Sequence, residues 1–277
     1  MERTAAGHTD DKVLDALSAE LVDARTRRKV VPLVSACHPG LEQEDGYRIS
    51  RRNHAALVTL GERAVGRKIG FTNRGIWNEY QVYEPIWAHM YASTVSELVD
   101  QEARVPRDRF CQPRIEPEII VRFARAPESP EPDAIAAALD WVAHGFEIVD
   151  SHHLDWKFRV TDTIADFGLH AALFVGRPLP AARIPDLVST LSSFSIELFR
   201  DGEVVDRGRG SNVLDGPLHA IAHLMRVLAT QTEFPPLSAG EMITTGTLTA
   251  AWPIAAGQRW HTRLQGVDLP GAALRFS

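Results

Sequence analysis

Phe194, Ile196 and Leu198 alternate with polar neighbours and run into Asp201-Gly202. A two-residue turn of this kind takes φ > 0 at both positions and joins antiparallel strands, so it commits this part of the chain to antiparallel β-structure. Other segments agree. Residues 66–73, GRKIGFTN, read as a strand leading into a loop, and 118–123, EIIVRF, as an apolar β-branched strand. The last forty residues alternate short strand-like runs with glycines at 240, 246, 257, 266 and 271.

Helices are expected elsewhere. After a cap at Thr9 or Asp10, Val13, Leu14, Leu17, Leu21 and Val22 recur at helical spacing. CHPGLEQEDGYR then reads as a turn, with a second helix around Ala55 to Leu60. ARAPESPEP, with three prolines, is a loop. Asp133 should cap a helix carrying Ile135, Leu139 and Val142, and Pro217 should open one carrying Leu218, Ile221, Met225 and Leu228. The expected class is α+β, with an N-terminal helical part over 1–75 and a β-rich body over 76–277.

Composition bounds the function. With 277 residues, 44% of them apolar, there is enough chain for a well-buried core. A formal charge of −6 without a basic stripe argues against nucleic acid as the partner. No apolar run nears the ~20 residues that span a bilayer, and the polar start MERTAAGHTDDK is unlike a signal peptide, so a cytoplasmic protein is expected. Cys37 and Cys111 form no disulfide framework.

Glu116 and Glu118 flank Pro117. On an extended chain, residues two apart share a face, and paired carboxylates suit a hard cation such as Mg²⁺ or Mn²⁺; alone, the same pair also fits a solvated edge. Glu147 and Asp150 form a second acidic group in an apolar run, either metal-linked or split between solvent and a turn. Lys68, between Arg67 and Ile69, fits a desolvated acid–base lysine with lowered pKa, or an edge-strand charge. His152, His153 and His170 are candidates for proton transfer or plain structural histidines. Asp162 and Asp166, one helical turn apart, suit capping or orienting a neighbour. The aromatics between Trp77 and Tyr91 fit a substrate-tail pocket, with core or subunit interface slightly preferred. No P-loop, GxGxxG, GxSxG or HExxH signature is present.

Taken in order, KIGFT at 68–72, IEPEI at 115–119, EIVDS at 147–151 with Asp155-Trp156, DT.AD at 162–166, the Gly208 to Leu218 stretch and GTL at 246–248 resemble one family. It is the fumarylacetoacetate hydrolase superfamily, in its 2-oxopent-4-enoate hydratase and 4-oxalocrotonate decarboxylase branch. The resemblance implies a β-rich mixed barrel-like roll, with 76–277 as the catalytic domain, and a homo-oligomer. It implies Mg²⁺ or Mn²⁺ held by Glu116, Glu118 and Glu147, with Asp150 as rival for the third place. Lys68 matches the active-site lysine, and Thr247 the residue that binds the substrate carboxylate.

The sequence also departs from that pattern. Ile86 stands where the hydratases carry an acid, Phe167-Gly168-Leu169-His170 replaces a small polar run, and His152 replaces a basic residue. His170 or His152 is then expected to share proton transfer with Lys68. The implied activity is a metal-dependent lyase, hydratase or decarboxylase, acting on a small 2-oxo or 2-hydroxydienoic acid in catabolism of aromatic or cyclic compounds. The alternatives are hydrolytic C–C cleavage of an acylpyruvate-like substrate and a catalytically silent binding homologue.

Overall fold

The computed structural model describes residues 9–80 and 82–277; the polar opening up to residue 8 lies outside them. Helices α1 (Asp11–Arg27), α2 (Val34–Cys37) and α3 (Gln43–Thr59) come first. Helices α4 (Trp77–Tyr80), α5 (Pro132–Ala138), α6 (Val160–Ala165), α7 (Leu187–Ser193) and α8 (Pro217–Thr230) are set among the strands. The strands are β1 (Ala64–Gly70), β2 (Ile86–Tyr91), β3 (Val95–Glu97), β4 (Glu102–Val105), β5 (Pro113–Phe123), β6 (Leu139–Asp150) and β7 (His170–Val175). After them come β8 (Leu179–Pro180), β9 (Ser195–Arg200), β10 (Glu203–Arg209), β11 (Met242–Thr247), β12 (Trp252–Pro253), β13 (Arg259–Gln265) and β14 (Ala273–Phe276).

The N-terminal helix forms as its periodicity predicts. The Asp10 carboxylate accepts from the Lys12 N–H at 3.0 Å, closing the first turn. Leu14, Leu17 and Leu21 are buried against Ile49 and Leu57 of α3 and against Tyr91 and Phe167 of the body. Each such leucine contributes about 1.5–3 kcal/mol. Helix α3 starts well before Ala55, inside the stretch read as a turn, because Glu42 and Asp45 close a reciprocal cap. Gly46, which suggested a turn, instead permits close packing: a Cβ there would lie 3.1 Å from the Thr161 carbonyl oxygen of α6.

Helix α5 ends at Ala138, so Leu139 and Val142 lie on β6, opposite Phe123 and Val121 of β5, and not on a helix face. Asp133 sits in the first turn, after the cap position Glu131 and Pro132. The hairpin between β9 and β10 turns at Asp201 and Gly202, with φ of 54° and 93°.

A nine-stranded sheet runs β2-β1-β11-β5-β6-β7-β3, with β12 on β5 and β8 on β6. Strand β11 lies between β1, to which it is parallel, and β5, to which it is antiparallel. Strand β1 lies ahead of the expected boundary at residue 75, yet it is an interior strand of this sheet. A five-stranded sheet, β10-β9-β13-β14-β4, packs on the first through Ile115, Phe146, Ile148, Leu198, Trp260 and Leu274. The apolar face of α8 (Leu218, Ile221, Leu224, Leu228) packs in the core that includes Val121 and Ile243. The result is the expected α+β class, a curled half-barrel sheet with helices packed on it. Among the described residues, no helix is long and apolar enough to cross a membrane.

Candidate active site

Five adjacent strands each place one part of a polar row. Strand β5 carries Glu116 and Glu118 on one face, and Glu147 on β6 stands directly opposite Glu116. Lys68 comes from β1, Thr247 from β11 and His170 from the start of β7. Carboxylate oxygens of Glu116, Glu118 and Glu147 all lie within 4.8 Å of one another. Glu118 and Glu147 are fully buried, while Glu116 is half-buried and lines a cavity of about 330 Å³.

A β-bulge shapes the middle of the row. Thr244 pairs with Ile120 and Thr247 with Glu118, so β11 carries one residue more than β5 over this span. The displaced backbone lets the Gly246 N–H donate to Glu118 Oε2 at 2.9 Å. Gly246 has φ of 98°, and a Cβ there would fall 1.9 Å from Thr72 Oγ1. A side chain at 246 would therefore cost both backbone strain and a clash.

Lys68 is buried with its Nζ 3.2 Å from Glu147 Oε2, and it donates to the Gly168 carbonyl at 3.1 Å. Burial pulls its pKa down, but Glu147, Glu116 and Glu118 outweigh burial and hold it above the ordinary lysine value. The lowering expected from the apolar strand is thus reversed by three carboxylates that arrive from other strands. Burial raises Glu116 and Glu118, and their acidic neighbours add to it. Burial also pushes Glu147 upward, but Lys68 and a hydrogen bond with His170 override it and hold the group low.

His170 Nδ1 lies 2.7 Å from Glu147 Oε1 and Nε2 lies 2.8 Å from Thr94 Oγ1, so the ring faces the Glu147 carboxylate and does not line the cavity. His152 also lies off the cavity, with Nδ1 2.6 Å from Asp166 Oδ1. Asp150, three residues from Glu147, points to the opposite face of β6 and accepts from the Cys111 and Gln112 N–H groups. Asp162 ties α6 to α2 by accepting from Ser35, and Asp166 orients His152. Of the residues expected in the site, the structure brings Lys68, Glu116, Glu118, Glu147 and Thr247 together. It puts His170 behind them and leaves Asp150 and His152 outside.

The cavity walls are Phe71, Tyr80, Ile86, Trp156 and Phe158, with Arg114 at the same wall as Trp156. Of the aromatics between Trp77 and Tyr91, Tyr80 lines the cavity, Trp87 and Tyr91 are core, and Tyr83 is exposed. Arg114, Trp156 and Phe158 were not expected from the sequence, although Arg114 precedes Glu116 by two residues and so shares its face. A larger open cleft of about 1000 Å³ at the other ends of these strands, lined by Arg63, Arg67, His89 and Arg122, holds none of the trio.

The donor set fits a hard divalent cation. Glu118 Oε1 is buried without a hydrogen-bond partner, and a buried oxygen without one is uncommon. Three carboxylates share one ammonium group, Lys68, which pairs directly with Glu147 at 3.2 Å. Oxygen-only ligands of this charge are what Mg²⁺ or Mn²⁺ take.

Residues 69–268 match the family model described as fumarylacetoacetate (FAA) hydrolase C-terminal, and the chain belongs to that family. It is 30% identical over 263 residues to a 2-hydroxyhexa-2,4-dienoate hydratase of Comamonas testosteroni, covering 94% of this chain and 96% of that one. It is 33% identical over 266 residues to a 2-keto-4-pentenoate hydratase of Burkholderia vietnamiensis, with the same coverages. The solved structure of 4-oxalocrotonate decarboxylase from Pseudomonas putida G7, complexed with magnesium and adipate, superposes with a TM-score of 0.88 at 27% identity over all of both chains. A chain that shares the full length of these enzymes and carries the trio and the lysine is an enzyme of their lyase type.

Proposed function

We propose that the protein decarboxylates an unsaturated 2-oxo acid, using a divalent cation held by Glu116, Glu118 and Glu147, in the catabolism of aromatic or cyclic compounds. One observation carries the choice of reaction. Among the described residues, the titratable side chains lining the cavity are Lys68, Glu116, Arg114 and Tyr80, and Ile86 stands on its wall, at the position where the resemblance implies a second acid. Adding water requires a base to take its proton; releasing CO₂ requires only that one proton reach carbon. The names of the hydratase relatives favour hydration as the second reading. Hydrolytic C–C cleavage needs an activated water too, and a silent binding role would have no use for a buried lysine beside the trio.

When bound, the cation supplies Lewis-acid stabilisation of negative charge on the 2-oxo oxygen. Thr247 binds the carboxylate next to the keto group. The bond from carbon to the departing carboxylate breaks, CO₂ leaves, and the electron pair passes into the conjugated chain. Lys68, held protonated by the carboxylates, delivers a proton from Nζ to that chain. His170 acts as a positioning residue: it holds Glu147 in one orientation and leaves its second oxygen to the site. His152 and Asp150 take no part. The same reading makes the protein a cytoplasmic homo-oligomer, which sedimentation of the purified chain checks.

The test is a proton NMR time course with Mg²⁺ and 4-oxalocrotonate, 2-hydroxypenta-2,4-dienoate or acetylpyruvate, each with an EDTA control. Metal-dependent loss of a carboxylate from 4-oxalocrotonate is expected. A new hydroxyl-bearing carbon establishes hydration instead, and free pyruvate from acetylpyruvate establishes hydrolysis.

A further inference from the structure

A second group of ligand-type side chains lies on the other face of β6. Cys111, Asp150 and His152 each offer one ligand atom, and these three atoms lie within 4.8 Å of one another. Asp150 closes β6, and its two oxygens accept from the Cys111 N–H at 2.8 Å and the Gln112 N–H at 2.6 Å. An ionised carboxylate has about four lone-pair sites, so each oxygen keeps one for a ligand. Cys111 is a free thiol and partly exposed, whereas Asp150 and His152 are buried. His152 is also one of the positions at which the sequence departs from the family pattern. Its Nδ1 is 2.6 Å from Asp166 Oδ1, and its backbone N–H donates to Asp166 Oδ2 at 3.0 Å. The ring is thereby fixed, and Nε2 is the nitrogen left to a ligand. A carboxylate on the far nitrogen is the usual support of a metal-ligating histidine.

We propose that Cys111, Asp150 and His152 bind a borderline divalent cation, Zn²⁺, at a site separate from the carboxylate trio. The site stands whichever reaction the cavity runs. Its donors are one sulfur, one nitrogen and one oxygen, where the trio is all oxygen; thiolate and imidazole select Zn²⁺ over Mg²⁺. Bonds of about 2.0–2.3 Å put the ligand atoms of a tetrahedral ion about 3.3–3.8 Å apart, so each atom here moves inward by less than about 1 Å. Three protein ligands leave the fourth position to water, and the partly exposed Cys111 gives the ion a way in. On binding, Cys111 Sγ releases its proton to solvent and bonds the ion as thiolate. The ion joins separate segments: Cys111 precedes β5, and Asp150 ends β6. The His152 carbonyl accepts from the Val31 N–H at 2.8 Å, in the link between α1 and α2. Its role is therefore structural, fastening the helical part to the sheet.

The experiment uses Co²⁺ as the probe, because a thiolate ligand gives it a sulfur-to-cobalt charge-transfer band that oxygen ligands cannot. The reduced protein, stripped with EDTA and desalted, is titrated with Co²⁺ under argon, with Mg²⁺ in excess to occupy the trio. A charge-transfer band that saturates at one Co²⁺ per chain, and that Zn²⁺ bleaches, is expected. Cys111→Ser should abolish the band, His152→Asn should abolish its saturation at one Co²⁺, and Cys37→Ser should leave it intact. Asp166→Asn should keep the band and weaken Co²⁺ binding by about 10–100-fold. In the unaltered protein, Zn²⁺ should slow alkylation of Cys111 and not of Cys37, read by peptide mass spectrometry; this result decides if a variant fails to fold. The inference is overturned if the wild type shows no band, or if the band survives Cys111→Ser. A band that appears only with Co²⁺ in large excess marks an adventitious ion only and overturns it too. So does equal alkylation of Cys111 with and without Zn²⁺.

Discussion

Replacing Glu116 by Gln should stabilise the ion-free protein at pH 8 and abolish catalysis. Burial, with the charge of Glu147 beside it, raises Glu116 from the ordinary 4.5 to about 7. A carboxyl whose pKa is raised on folding is protonated more readily in the folded than in the unfolded chain. Stability is therefore lost as pH climbs from 4.5, and the loss is complete near 7. At about 1.4 kcal/mol per pH unit, the penalty at pH 8 is about 3 kcal/mol. Glutamine resembles the protonated acid at every pH and escapes it. For a chain of this length 1 kcal/mol moves Tm by about 2–4 °C. Glu116→Gln should therefore melt roughly 6–12 °C above wild type in EDTA at pH 8, and level with it near pH 4.5. Mg²⁺ at a thousand times its Kd should reverse the order, since it then adds about 4.1 kcal/mol to the wild type alone. Calorimetric melting at both pH values, with EDTA and with Mg²⁺, measures all of this. A Glu116→Gln protein no more stable than wild type in EDTA at pH 8 would refute the claim that the trio is a strained, cation-ready cluster.

Three further perturbations test neighbouring parts. His170→Asn removes the group that orients Glu147 and should weaken Mg²⁺ binding by about 10–100-fold in a titration; unchanged affinity would show that Glu147 needs no such support. Asp166 is held low by His152 against the push of burial, and His152 is held high by Asp166 against the same push. The first contribution is present above pH 3.8 and lost as pH falls through the lowered Asp166 value. The second is present below pH 6.5 and lost as pH rises through the raised His152 value. The Tm gap between wild type and Asp166→Asn should thus be widest between those limits and shrink on either side. Leu21→Ala empties a fully enclosed position between α1 and the body and should cost about 2–5 kcal/mol in urea unfolding; a cost below 1 kcal/mol would mean the helical part is loosely docked.

What the sequence reveals here depends on how local the determining physics is. Helix α1, the Asp201-Gly202 turn and α8 are legible because cap, turn geometry and apolar stripe all lie within one segment. Leu139 and Val142 are ambiguous in sequence because a three-residue spacing fits a helix face and a strand buried on both sides equally well. The onset of α3 was hidden by Gly46, whose reason for being glycine is the approach of a helix more than a hundred residues later. In the site, Glu116 and Glu118 can be seen as a pair from strand parity alone. That Glu147 joins them and Asp150 does not depends on the register of β6 against β5. The upward shift of Lys68 depends on which strands flank it. Arg114 was within reach, since the same parity that pairs the two glutamates extends one step back to it. Trp156 and Phe158 come from a loop that only tertiary structure delivers to the cavity.

The position of β11 also sets an order of events during synthesis. This strand is made about 120 residues after β5, yet it fits between β5 and β1, so for much of translation both have an unsatisfied edge. The Gly246 N–H that holds Glu118 and the Thr247 hydroxyl arrive with that last insertion. A nascent chain released early would carry all three carboxylates and the lysine but not the strand that aligns them. Such a fragment would be sticky and would hold a cation poorly, so the quality of the metal site becomes a report on whether the C-terminal quarter has docked.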